Sequence, residues 1–107
     1  MKIVINREFG GFGLSVAAVQ RYAEIIGLDI KYEDRSQSWV YSDGNYFSDY
    51  DIPRNDPALV RVVEELGKKA CDRYSLLKVV EISDGVEWEI SEYDGMEHVA
   101  EVHRTWW

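Results

Sequence analysis

Glycines concentrate in one short segment, Gly10-Gly11-Phe12-Gly13-Leu14-Ser15, which follows an apolar run and precedes a helical pattern. Where a strand ends and a helix begins, glycines let backbone amides approach a bound anion, and the helix dipole favours its negative charge. Gly11 and Gly13 are therefore candidate ligand-binding residues. The segment is not a dinucleotide-binding motif, because Val16 stands at the third glycine position, and it lacks the Lys-Ser/Thr of a P-loop. A tight turn with its apolar side chains packed inward explains the same residues without a ligand.

Cationic and aromatic side chains would complete such an anion site. Arg7 precedes the glycine segment and Arg104 lies near the end of the chain, and a guanidinium group recognises phosphate or carboxylate through paired hydrogen bonds. A planar ligand would stack on Tyr46 or Trp106. The chain carries four Trp, seven Tyr and three Phe, more than a small domain can bury completely, which predicts contact between copies of the chain. Alternatively, the aromatic residues between positions 39 and 50 are the core.

Candidate catalytic groups are few. His103 and Glu101 share one face of a strand, so the carboxylate would orient the imidazole for acid–base chemistry, although a terminal polar strand equally forms an edge or an interface. His98 and His103 are too far apart on either a strand or a helix to share a metal ion easily. Ser15 fits a helix cap, and the single cysteine, Cys71, has no companion base. These residues favour a protein that is not an enzyme, with no catalytic residue, metal or cofactor.

The elements that must position these residues follow from the apolar pattern. Strands are predicted in the first half of the chain at residues 2–6, 28–32, 39–42 and 45–48. Ser15 suits the N-cap and Gly27 the C′ position of a first helix. Asp43-Gly44 separates the last two of these strands, and this pair predicts a hairpin with a two-residue type I′ turn.

The second half begins with a polar stretch, residues 49–55, that predicts an exposed connection. Asp56-Pro57 then opens a second helix, since proline at the first helical position loses no hydrogen bond. Its apolar residues recur at helical spacing and predict one buried stripe, formed by Leu59, Val62, Val63, Leu66 and Ala70. Gly67 either weakens this helix or ends it early.

The remaining residues predict strands. Residues 76–82 and 86–90 flank the turn residues Ser83-Asp84-Gly85 and predict a second hairpin. Residues 96–107 fit both a strand and a helical stripe, and we favour the strand. Together the patterns predict an α+β fold, with two helices packed on a largely antiparallel sheet and residues 1–107 forming a single small domain.

The net charge of −8 arises in one segment. Between residues 79 and 103 there are eight acidic residues and no Lys or Arg, whereas acids and bases balance elsewhere. Such a surface repels a phosphate backbone, so we expect no direct binding of DNA or RNA; the simplest interpretation is a solvated face. No apolar run approaches the roughly 20 residues of a membrane span, and the first residues become polar too soon for a secretory signal. We therefore expect a cytoplasmic protein without membrane association.

Three parts of the chain resemble a family of small uncharacterised proteins encoded by phages and prophages. The likeness lies in residues 2–6 with 10–15, in residues 56–67, and in residues 77–106, which end in Glu101-Val102-His103-Arg104-Thr105-Trp106. It does not extend to residues 35–50. The resemblance implies a viral setting and no particular activity.

In that setting three functions compete. The first is a non-enzymatic sponge, a homo-oligomer that sequesters a small anionic nucleotide-derived immune signal of the host. Its ligand-binding residues would be Arg7, Gly11, Gly13, Tyr46, Arg104 and Trp106. The second is an acidic inhibitor whose residues 81–101 mimic nucleic acid and block a basic site on a host protein. The third is a small nucleotide hydrolase that uses His103.

Overall fold

The computed structural model describes residues 1–102 and contains two α-helices and seven strands. In chain order the elements are β1 (Lys2–Asn6), α1 (Val16–Ile26), β2 (Ile30–Glu33), β3 (Ser38–Tyr41), β4 (Tyr46–Phe47), α2 (Pro57–Leu66), β5 (Leu77–Glu81), β6 (Trp88–Tyr93) and β7 (Met96–Glu101), with short 3₁₀ helices at Asp49–Asp51 and Gly67–Ala70. The predicted α+β class is confirmed. All strand pairs are antiparallel, but they form three small sheets, β1–β5, β2–β3–β4 and β6–β7.

The helix ends lie where the capping residues predicted them. The Ser15 hydroxyl accepts a hydrogen bond from the Ala18 amide, and Gly27 ends α1 with a left-handed φ of 71°. The Asp56 carboxylate caps the start of α2, which begins at Pro57. Gly67, with φ 56°, ends α2 early, and a 3₁₀ turn follows it.

The core lies between the two helices, one face of the β1–β5 sheet and one face of the β2–β3–β4 sheet. Leu59 and Val62 of α2 and Val4 of β1 are completely buried in it, and Trp39 of β3 is nearly so. The predicted apolar stripe of α2 is confirmed, since its members are buried or packed against this core. Within residues 1–102, no helix is long and apolar enough to cross a membrane.

The hairpin β3–β4 is confirmed, but its predicted two-residue turn is wrong. The Tyr41 amide bonds to the Asn45 carbonyl at 2.8 Å, which leaves a three-residue loop between them. Gly44 takes φ 89°, whereas Asp43 does not adopt positive φ. The Asp43 carboxylate instead accepts a hydrogen bond from the Asn45 amide at 2.9 Å. This arrangement is typical of a type I turn followed by a glycine bulge.

The predicted hairpin of residues 76–82 and 86–90 is also wrong in its pairing. β5 pairs with β1, from Lys2 opposite Glu81 to Asn6 opposite Leu77. β6 pairs with β7 instead, so the predicted strand in residues 96–107 is confirmed over Met96–Glu101. A two-residue turn joins these strands, with Asp94 at φ 49° and Gly95 at φ 88°. Two consecutive positive φ values are the signature of a type I′ turn.

The stretch of residues 49–55 is not simply an exposed connection. Ile52 is buried in the core, and the Val4 amide donates a hydrogen bond to the Arg54 carbonyl at 2.8 Å. This segment therefore runs along the edge of β1 that β5 leaves open. The buried side chain and the backbone contact outweigh the polar composition on which the prediction rested.

Candidate functional site

A buried ion pair joins the β6–β7 hairpin to the open edge of β1. Glu97 of β7 is 4% exposed, and both of its carboxylate oxygens accept hydrogen bonds from Arg54, at 2.6 and 2.8 Å. The backbone amide of Asn6 donates a hydrogen bond to the same carboxylate at 2.8 Å. Arg54 also donates to the Val4 carbonyl at 3.2 Å. Side chains thus satisfy backbone groups of β1 that a neighbouring strand would otherwise bind.

The glycine segment is covered by the turn of this hairpin. The Gly10 amide donates to the Asp94 carbonyl at 3.2 Å, and a methyl group on Gly95 would strike the backbone of Gly11. Asn6 reinforces the contact, since its side-chain amide donates to the Gly95 carbonyl at 2.7 Å. The glycines are needed here for close backbone packing between two parts of the same chain.

The space that remains beside this contact is a cleft of about 510 Å³, the glycine cleft. It is lined by Gly10, Gly11, Phe12, Tyr50, Arg54, Glu92, Asp94, Gly95 and Glu97. The Arg54 guanidinium lies 3.7 Å from the centroid of the Phe12 ring, in cation–π geometry. Among residues 1–102, three carboxylates and one guanidinium group line the cleft, and one of these carboxylates already neutralises Arg54. The described lining is therefore not electropositive.

Three backbone amides around the start of α1 also have partners within the protein. The Leu14 amide donates to the Asp49 carboxylate at 2.9 Å, and the Ser15 amide donates to the Ala70 carbonyl at 2.9 Å. The Ala18 amide is bound by the Ser15 hydroxyl at 3.1 Å. A carboxylate of the chain thus binds one of the amides at which the sequence predicted an anion.

A second concavity, the aromatic groove, lies beside this helix end and has a volume of about 300 Å³. Five aromatic residues line it: Tyr32, Trp39, Tyr46, Phe47 and Tyr50. Its other lining residues are Leu14, Val16, Val19, Gln37, Ser38, Ser48 and Asp49. Trp39 is 8% exposed and belongs to the core, whereas Tyr46 and Tyr50 are 66% and 68% exposed. The groove therefore combines a fixed aromatic floor with two accessible tyrosines.

Polar side chains in the aromatic groove keep hydrogen-bonding capacity for a ligand. The Ser38 hydroxyl donates to the Ser36 carbonyl and can still accept, while the Ser48 hydroxyl accepts from the Tyr50 amide and can still donate. The Gln37 amide can both donate and accept. Rings with polar edges suit such a lining, because a purely apolar ring would leave these groups unpaired.

The residues predicted to bind a ligand do not converge on one place. Gly11 lines the glycine cleft and Tyr46 lines the aromatic groove. Arg7 donates to the Glu97 backbone carbonyl at 2.7 Å, behind the cleft. Gly13 lies against Asp72, whose carboxylate a methyl group at this position would strike. Arg104, Trp106 and the candidate base His103 lie outside the described residues.

Tyr50 is the residue that connects the two concavities, since it lines both. Its ring centroid is 6.3 Å from that of Phe12. The sequence places Tyr50 in the aromatic cluster but gives it no distinct role. Asp49 and Arg54 lie on either side of Tyr50 in the sequence, within residues 49–55, whose polar composition predicted an exposed connection. The sequence did carry a signal for a short capped turn at this point. Ser48 is a residue type that favours the N-cap, and it is followed directly by an acidic and then an aromatic residue.

Two ionisable groups outside the two concavities, Tyr22 and Cys71, form hydrogen bonds within the fold. The Tyr22 hydroxyl donates to the Asp56 carboxylate at 2.8 Å. Burial and then this carboxylate raise the pKa of Tyr22 to about 12. Cys71 accepts a hydrogen bond from the Leu77 amide through its sulfur. Across residues 1–102, no group of three or more His, Cys, Asp or Glu is arranged to hold a metal ion.

The chemistry of the aromatic groove suits contact with a flat ring that has polar edges. The aromatic groove offers ring surfaces and neutral polar groups, and the carboxylate of Asp49 is engaged by a backbone amide. Comparison of the chain with family models, with curated proteins and with solved structures finds no match.

Proposed function

We propose that the protein is a non-enzymatic binding protein that holds the planar ring of a small nucleotide-derived molecule in the aromatic groove and so sequesters it. The observation that carries this proposal is Tyr50, a tyrosine 68% exposed at the rim of a groove whose floor is aromatic. A large exposed aromatic ring beside such a floor is favourable when a flat ligand covers it.

The lining of the groove supports a nucleobase as the ring. Nucleobases carry donors and acceptors along their edges, and Gln37, Ser38 and Ser48 offer both. Stacking of a base on an aromatic side chain contributes about 1–3 kcal/mol. A few polar groups in a mostly aromatic concavity are typical of small-molecule sites.

The resemblance to phage proteins supports a host immune signal as the ligand, bound in the cytoplasm of an infected cell. Exposed aromatic side chains outside the groove support self-association of the chain. Phe9, Tyr74 and Tyr93 are 54%, 61% and 74% exposed. Contact between copies would cover this apolar area.

A thermal-shift screen tests the proposal. Purified protein is heated with cyclic nucleotides, cyclic ADP-ribose derivatives and nucleosides, and a ligand held at 100 times its Kd should add about 2.7 kcal/mol to stability. Tyr50→Ala should remove the shift. Tyr93→Ala, which truncates an exposed tyrosine outside the groove, should retain it.

Chromatography of the heat-released ligand separates sequestration from hydrolysis. The ligand should return unchanged. Conversion of the ligand by the purified protein, or a shift that survives Tyr50→Ala, would contradict the proposal.

The acidic inhibitor remains a second candidate, favoured by the surface of the β6–β7 region. Seven of the eight acids between residues 79 and 102 are exposed, and in the part of the chain that the structure describes β6 is paired only with β7. An open strand edge with negative side chains suits a basic protein segment. This function predicts capture of a basic host protein with steep salt dependence and no shift with small molecules.

A further inference from the structure

The charge of the aromatic groove bears on which part of a nucleotide it can hold. Among residues 1–102, Asp49 is the only Asp, Glu, Lys, Arg or His that lines the groove. Its carboxylate is held in place by the Leu14 amide at 2.9 Å. Of the charged side chains that the structure describes, a ligand seated in the groove therefore meets one fixed carboxylate and no cation.

Three backbone amides around the start of α1, those of Leu14, Ser15 and Ala18, already donate within the protein. The Asp49 carboxylate also places negative charge beside this helix end, which offsets part of the attraction of the helix dipole for a second anion. A phosphate that entered the groove would have to displace that carboxylate or lie beside it, and like charges repel more strongly where water is partly excluded.

We infer that the aromatic groove accepts the base of the ligand and excludes its phosphate, with Asp49 as the specificity-determining residue. The class of ligand that fills the groove is thus an uncharged nucleoside or the nucleoside part of a larger molecule, whose phosphate stays in solvent. This inference rests on the proposed function, since it concerns the same groove.

The test compares each nucleoside with its own 5′-monophosphate by isothermal titration calorimetry. Adenosine, guanosine, cytidine and uridine are titrated into the wild-type protein, and each is paired with AMP, GMP, CMP or UMP. The nucleoside that binds should bind about tenfold more tightly than its monophosphate, a difference of about 1.4 kcal/mol.

Two isosteric variants assign this discrimination to one carboxylate. Asp49→Asn keeps an acceptor for the Leu14 amide while removing the charge, and it should bring the two affinities to within about twofold of each other. Asp51→Asn is the matched control, because it removes the same charge from the same 3₁₀ helix at a position that does not line the groove. The control should leave the tenfold ratio unchanged.

The outcomes separate the inference from the function. A monophosphate that binds wild-type protein as tightly as its nucleoside, in a manner that Tyr50→Ala abolishes, would overturn the inference and leave the proposed function standing. An unchanged ratio in Asp49→Asn would also overturn it. If none of the nucleosides and none of the monophosphates binds, the inference fails, whereas the proposed function fails only if the thermal-shift screen with cyclic nucleotides and cyclic ADP-ribose derivatives also shows no ligand.

Discussion

Replacing Glu97 by alanine should loosen the β6–β7 hairpin and lower the free energy of unfolding by about 4 kcal/mol. The change removes two hydrogen bonds from Arg54 and one from the Asn6 amide. The Arg54 side chain, 16% exposed, then loses its counter-ion in a largely buried position. Removing one partner of a buried ion pair costs about 3–5 kcal/mol. Arg54 keeps its contacts with the Phe12 ring and the Val4 carbonyl, which places the expected loss inside that range.

Urea denaturation followed by tryptophan fluorescence measures this loss, and hydrogen exchange locates it. Glu97→Ala should speed amide exchange in Trp88–Tyr93 and Met96–Glu101 more than in α1. Glu65→Ala is the control, because Glu65 forms only exposed ion pairs, with Arg21 and Arg61, and should cost less than about 1 kcal/mol.

A double mutant completes the cycle. Arg54→Leu combined with Glu97→Ala removes the stranded charge, so the pair should be less destabilising than the sum of the single changes by about 2 kcal/mol. Two results would contradict a stabilising role of the ion pair. One is a loss of unfolding free energy in Glu97→Ala no larger than in Glu65→Ala. The other is a double mutant whose loss equals the sum of the losses of the two single mutants.

Two further predictions concern the turn and the buried tyrosine. In urea denaturation, Gly95→Ala should lower the free energy of unfolding by about 2 kcal/mol more than Gly44→Ala does. Both glycines have φ near 88–89°, but only a methyl group at Gly95 would strike Gly11. Equal costs would show that the hairpin turn does not pack on the glycine segment. Tyr22 should titrate near pH 12 by ultraviolet absorbance, against about 10 when unfolded, because burial and Asp56 favour its neutral form. Because the pKa of Tyr22 is higher in the folded state than in the unfolded state, stability that is present below pH 10 is lost between pH 10 and 12, by up to about 2–3 kcal/mol. The Tyr22→Phe variant should not show this loss.

The sequence predicted local structure well because the relevant partners are close in the chain. Ser15 caps α1 through the Ala18 amide, and Asp56 caps α2 through the Ala58 amide, only two or three residues away. The apolar stripe of α2 needs only the helical period to be seen. These features required no knowledge of how the sheets assemble.

Strand pairing was predicted less well, because neighbouring strands compete with distant ones. Ser83-Asp84-Gly85 looked like a hairpin turn, yet β5 pairs with β1 and β6 with β7. Asp43-Gly44 and Asp94-Gly95 are the same dipeptide, and only the second forms the type I′ turn. The first is diverted by the hydrogen bond from the Asn45 amide to the Asp43 carboxylate. A dipeptide therefore indicates that the chain turns, and its surroundings decide how.

The candidate site was only partly predictable. Aromatic enrichment near Tyr46 and Tyr50 pointed to the right region. Charge patterning did not identify Glu97, because one buried carboxylate among eight acids has no distinct local signature. Arg54 was likewise inconspicuous in a polar stretch. The roles of Glu97 and Arg54 follow from the tertiary structure, in which both side chains bind backbone groups at the open edge of β1.

The two edges of β1 have a consequence for synthesis of the protein. One edge of β1 pairs with β5, and on the other edge the Asn6 backbone amide binds the Glu97 carboxylate, 91 residues further along the chain. During translation the first strand therefore emerges long before either partner, with apolar side chains and unpaired amides available to chaperones or to other nascent chains. Such long-range pairing slows folding and lengthens this vulnerable interval.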